Sequence, residues 1–80
     1  MPLYFFDIQD REKLSHDDIG IECGTREAVR DAAIEALPDL AKDLRPDVQR
    51  HSIIVSVRDE AGKNVFRASL TLDAGWPDEG

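Results

Sequence analysis

The sequence predicts an α+β fold, a small antiparallel sheet in ββαββ order with one Pro-kinked helix packed on one face. Three observations carry this. Apolar residues recur at helical spacing over residues 25–45, two alternating apolar runs flank a Gly-containing turn, and the chain opens on an aromatic-rich apolar run.

Leu3 to Ile8 is the opening strand. Tyr4, Phe6 and Ile8 share one face, while Leu3, Phe5 and Asp7 share the other. Both faces are largely apolar, so the strand is either central and covered or meets a partner through its outer face. "QDREK" supplies a charged turn, Lys13 to His16 returns as a brief second strand, and Gly20 to Cys23 extends it after a break.

Thr25 is a good N-cap, and Glu27 stands in the first turn where a carboxylate suits the helix dipole. Val29, Ala32, Ala33, Ala36, Leu37, Leu40 and Leu44 then mark an amphipathic helix over residues 25–45. Pro38 removes the bond to the Ile34 carbonyl and crowds it, at a cost of ~3 kcal/mol unless the helix bends. A kink near Leu37, or two short helices in series, is expected.

Pro46 stops the helix within the polar connection "RPDVQRH". Ile53, Val55 and Val57 alternate with Ile54, Ser56 and Arg58 as the next strand. "DEAG" is a turn with Gly62 free to take positive φ. Val65 to Leu72 forms the partner strand of this hairpin, with Phe66, Ala68, Leu70 and Leu72 on one face. Residues 1–74 are read as a single domain, and residues 75–80 as a flexible acidic tail from which Trp76 could fold back.

Eighty residues allow one core, burying about 60–65% of the surface exposed by the unfolded chain. A single Cys rules out an internal disulfide, and small domains without such a staple gain stability by oligomerising, so a homodimer is expected. The start "MPLYFFDIQD" lacks the basic and apolar regions of a leader, and no segment has the ~18 apolar residues of a membrane span. A lone Cys suits a reducing compartment, so the cytoplasm is the expected location. The net charge is −7, from 10 basic and 17 acidic side chains. Because the basic residues are scattered, nucleic-acid and membrane partners are not expected.

The pieces "YFFDIQD", "DDIGIE" with its Gly20, "EAVRDAAIEAL", "VSVRDEAGKNVF" and "LTLDA" resemble, in order and spacing, a family of short bacterial proteins that carry a domain-of-unknown-function label. The resemblance covers residues 3 to 74. It implies the same fold and supplies no mechanism. The family often has His where this chain has Asp7, and an apolar residue at Cys23, departures that argue against chemistry at either position. "GTREAVRDAAIEAL", following two or three strands and an acidic Gly turn, also resembles HicB-like antitoxins, which implies a module that binds another protein.

The stretch "SHDDIGIEC" is the one dense cluster of ligand-type residues. Asp17, Asp18 and Glu22 lack the alternation of an EF-hand loop, and His16 and Cys23, with distant His51, lack zinc-site spacing. Asp17 and Asp18 instead suit a turn whose positive φ falls on Gly20. Cys23 precedes the helix N-terminus, but no His is fixed beside it to make a nucleophile, and it reads as a small hydrophobe at the core edge. Asp59 and Glu60 are ordinary turn acids. Tyr4, Phe5 and Phe6 could stack on bases only within a basic surround, which is missing.

No catalytic residue, metal or cofactor is therefore expected. The expected function is a non-enzymatic protein–protein interaction or self-associating module. Leu3, Phe5 and Ile54 are candidates to line an open sheet face for a homodimer partner. Glu27, Asp31, Glu35, Asp39 and Asp43, at steps of four, form an acidic flank partly offset by Arg30 and Lys42. The first three could dock a basic protein partner, as in an antitoxin-like regulator that sequesters a basic toxin or processing enzyme. A small hydrolase or metal-dependent enzyme centred on His16 and Cys23 is the remaining alternative.

Overall fold

The computed structural model describes residues 1–11, 13–42 and 50–77. Six elements follow one another: β1 (Leu3–Asp10), β2 (Lys13–Ser15), β3 (Ile21–Glu22), α1 (Arg26–Ala41), β4 (Arg50–Arg58) and β5 (Asn64–Asp73). The strands form one antiparallel sheet in the order β2-β1-β4-β5, and β3 joins the same edge of β1 as β2. The α+β architecture with one helix on the sheet is the expected one.

The period-2 pattern decides which side chains meet the helix. Phe6 stands opposite Val57, and Val57 opposite Phe66; Ile8, Val55 and Ala68 make the next row. Ile53, Val55 and Val57 are the largest fully buried side chains. Burial of each stabilises the fold by about 1.5–3 kcal/mol. Val29, Ala33 and Leu37, one helical stripe, close over them, with Cys23 at the margin.

The helix begins as its residues dictate, with the Thr25 Oγ1 accepting the Ala28 N–H at 3.0 Å. It runs through Pro38 to Ala41 as a single helix and is not split in two. Pro38 forfeits the bond to the Ile34 carbonyl, but it lies in the last turn, so only Asp39, Leu40 and Ala41 follow it in the helix. The predicted end at residue 45, with Asp43, Leu44 and Pro46, lies outside the described residues.

Gly62 takes φ +85° in the β4–β5 turn, where Asp59 Oδ1 accepts the N–H groups of Ala61 and Lys63 at 3.0 and 2.9 Å. Strand β4 starts three residues earlier than the alternation of Ile53 to Val57 predicts. Its ladder with β5 continues through Ser52–Thr71 and His51–Leu72 to Arg50–Asp73, so His51 is a buried strand residue. Leu70 and Leu72 share the face of Phe66 and Ala68 but remain 38% and 36% exposed.

Candidate functional site

The densest polar arrangement is built on the sheet face opposite the helix. Register places Phe5 opposite Arg58 and Asp7 opposite Ser56, so Asp7 is the diagonal neighbour of Arg58. Arg58 Nε donates to Asp7 Oδ2 at 2.8 Å, and Nη2 donates to Asp7 Oδ1 at 3.3 Å. The same Nη2 donates to the Asp17 carbonyl at 2.8 Å and lies 2.7 Å from His16 Nε2. Behind it, the guanidinium carbon sits 4.8 Å from the centroid of the Phe5 ring, a cation–π contact.

An arginine nitrogen only donates, so His16 Nε2 is the acceptor in this contact. The ring proton then belongs on Nδ1, which lies 3.4 Å from Asp7 Oδ1. Asp7 also accepts the Asp17 N–H at 2.9 Å.

Asp17 organises the loop between β2 and β3. Its Oδ1 accepts the N–H groups of Ile19 and Gly20, while Oδ2 reaches across to the Phe6 N–H. Gly20 takes φ +80° and lies close against β1: a methyl group there would stand 3.0 Å from Leu3 Cδ2 and from Phe5 Cε1. Burial pushes the Asp7 carboxyl up, but hydrogen bonds from Arg58 and the Asp17 N–H, with the Arg58 charge, outweigh it and hold the group below the ordinary range. Burial likewise raises Asp17, and three backbone N–H donors more than reverse this. The Asp7 bond raises Arg58 against the opposing effect of burial.

Chemically, the cluster is a clamp that joins β1, the 16–20 loop and β4. Two ionised carboxylates act as acceptors, and the His16 Nε2 lone pair is engaged by Arg58. Among the described residues no group of three or more His, Cys, Asp or Glu side chains is arranged to hold a metal ion. His16 and Asp17 belong to the clamp, Asp18 is exposed, and Cys23 is buried on the helix side with its N–H bonded to the Pro2 carbonyl at 3.1 Å.

The apolar candidates on this face are half-buried. Leu3 and Phe5 lie together beneath Gly20, whereas Ile54 stands opposite Gln9, with the Asp7–Ser56 pair between it and Phe5. Glu27, Asp31 and Glu35 are exposed along the helix, with Asp31 held by Arg30 Nε at 3.2 Å. Asp39 pairs with Lys42.

Two pairings are invisible to a reading of local pattern: Asp7 with Arg58, and Asp10 with His51. The Asp10 Oδ1 bonds His51 Nε2, and the buried His51 Nδ1 has no partner among the described residues. The available signal was the depletion of Asp from strands, which makes two Asp within one aromatic strand a sign of partners elsewhere. An open cleft of about 410 Å³ lies between the helix start and the β4–β5 turn, lined by Tyr4, Arg26, Val29, Asp59, Lys63 and Phe66 among others. No described helix is long and apolar enough to cross a membrane.

Fold and cluster together define a small α+β domain whose open sheet face is tied down by a charged clamp. The chain belongs to the family described as Domain of unknown function (DUF6894), whose model matches residues 3–71. This agrees with the resemblance carried by "YFFDIQD" and the pieces that follow it. No curated protein and no solved structure matches the chain, so the HicB-like resemblance finds no support there.

Proposed function

We propose that this domain is a small non-enzymatic interaction module that associates with a second copy of itself in the cytoplasm. One observation carries the reading: Val65, Leu70 and Leu72, all on β5, are 42%, 38% and 36% exposed. Isolated exposed apolar residues are ordinary, but three on one strand at the edge of the sheet favour a covering partner. The ionisable groups best placed for chemistry, Asp7, Asp17, His16 and Arg58, are engaged with one another. The net charge of −7 disfavours nucleic acid and anionic lipid as partners. Sedimentation velocity of the full chain from micromolar to millimolar concentration tests the reading. A reversible dimer is the expected result, and a monomer throughout overturns it.

A second reading rests on the exposure of Glu27, Asp31 and Glu35 along one flank of the helix. They suit a basic protein partner, as an antitoxin-like regulator would need. Capture from the native host of a basic protein that is released by salt, and is lost with E27Q/D31N/E35Q, supports it. Capture unaffected by the triple substitution overturns it.

A further inference from the structure

We propose that the self-association surface is the outer edge of β5, which pairs antiparallel with β5 of a second copy in a register centred on Leu70. This deepens the self-association reading and rests on it. β5 is ten residues long, and among the described residues only β4 pairs with it, leaving one edge free.

The polarity of that edge follows from a bond on the far side of the sheet. The Phe6 N–H points to Asp17, away from β4. In an antiparallel ladder residues alternate between facing one neighbour and facing the other. Asp7 therefore faces β4, its opposite residue Ser56 faces back, and Val55 faces β5. Val55 stands opposite Ala68, so Ala68 and Leu70 direct their backbone groups inward to β4. Arg67, Ser69 and Thr71 direct theirs outward. Among the described residues the free edge thus offers an unpaired row of N–H and C=O groups at residues of odd number.

Registers that join two such rows keep helix-side residues opposite helix-side residues. With Leu70 on the two-fold axis, Leu70 meets the partner's Leu70, and Ala68 meets the partner's Leu72. Both exposed leucines gain apolar neighbours. On the other face Ser69 meets the partner's Thr71, and Arg67 meets the partner's Asp73. By symmetry each of these pairs occurs twice. A shift by one residue pair puts Ser69 or Thr71 on the axis; Arg67 then faces Thr71 in the first case, and Asp73 faces Ser69 in the second. Neither shift opposes unlike charges. Charge complementarity therefore selects the Leu70-centred register, because opposed unlike charges stabilise a cross-strand pair and like charges destabilise it.

The test is charge exchange in the full chain, read by sedimentation equilibrium, with circular dichroism and thermal melting to confirm the fold. Arg67→Asp and Asp73→Arg each place like charges opposite twice, and each raises the dimer dissociation constant about tenfold or more. An equimolar mixture of the two variants opposes unlike charges at both sites and restores the dimer as a heterodimer. Ser69→Pro, which deletes an outward N–H but none of the β4–β5 bonds, also yields monomer. A wild-type dimer indifferent to all three substitutions overturns the β5 edge while leaving self-association standing. A mixture no tighter than the single variants overturns the register. A monomeric wild type overturns both the edge and the self-association reading.

Discussion

Asp17 Oδ2 accepts the Phe6 N–H at 3.0 Å, so a side chain stands where a neighbouring strand would otherwise donate its carbonyl. β2 pairs with Ile8 to Asp10 and β3 with Leu3 and Tyr4, and the bond falls in the gap between them. The carboxylate satisfies a strand donor and the turn of its own loop together.

Asp17→Ala removes three charge-assisted acceptor contacts and is expected to destabilise the domain by about 2–3 kcal/mol. Asp17→Asn is not a conservative change. Its single carbonyl oxygen can serve the loop or Phe6, and its amide then presents a donor to a donor. Urea unfolding checks both, and an Asn variant as stable as wild type would refute the two-sided role.

Asp7 and Asp17 both titrate below the ordinary carboxylate range in the folded protein. The stability they contribute is fully present above the unfolded value of about 3.9 and is lost as pH falls through their lower folded values. The urea midpoint is expected to decline below about pH 4, and Asp7→Asn should flatten that decline. An unchanged acid slope in the variant would count against the Arg58–Asp7 bond.

Gly20 and Gly62 both have positive φ but different surroundings. Gly62→Ala meets nothing within 4 Å and carries only the backbone cost of about 1–2 kcal/mol. Gly20→Ala adds a methyl 3.0 Å from Leu3 and Phe5 and should cost about 1–3 kcal/mol more. Equal thermal midpoints for the two variants would contradict the close packing of the loop.

Asp10→Ala leaves buried His51 without its hydrogen-bond partner and is expected to cost about 1–3 kcal/mol. His51→Leu in the same chain should recover part of that loss, because an apolar side chain at this site leaves no polar atom unpaired. A double-mutant cycle by chemical denaturation measures the coupling, and strict additivity would deny the pair.

The helix and the final hairpin were legible because their signals are local. Thr25 precedes a 3.6-residue stripe, and Ile53 to Val57 alternates up to a Gly turn. Asp17 and Gly20 were legible as turn residues because the turn is local, whereas the bond from Asp17 to Phe6 and the packing of Gly20 on Leu3 and Phe5 were not. The Asp7–Arg58 and Asp10–His51 bonds were not, because their partners are 51 and 41 residues apart and meet only through the β1–β4 register. The start of β4 was missed because Arg50, His51 and Ser52 are polar and belong to the strand by virtue of what β5 offers them. Exposure of Leu70 and Leu72 was equally hidden, since their spacing matches that of the better-covered Phe66 and Ala68.

The pairing of β1 with β4 has a consequence for how the chain acquires its shape. Phe5 through Asp10 find their inner partners only in residues 53–58. The hairpin of β4 and β5 and the turn into β2 need only nearby residues, so they can form early. The middle of the sheet waits for the loop containing the helix to close. During synthesis the aromatic first strand therefore emerges well before its partner, and Phe6 stays exposed until Val57 has left the ribosome. Truncation anywhere before Arg58 removes the anchor of the clamp and leaves β1 with an open flank.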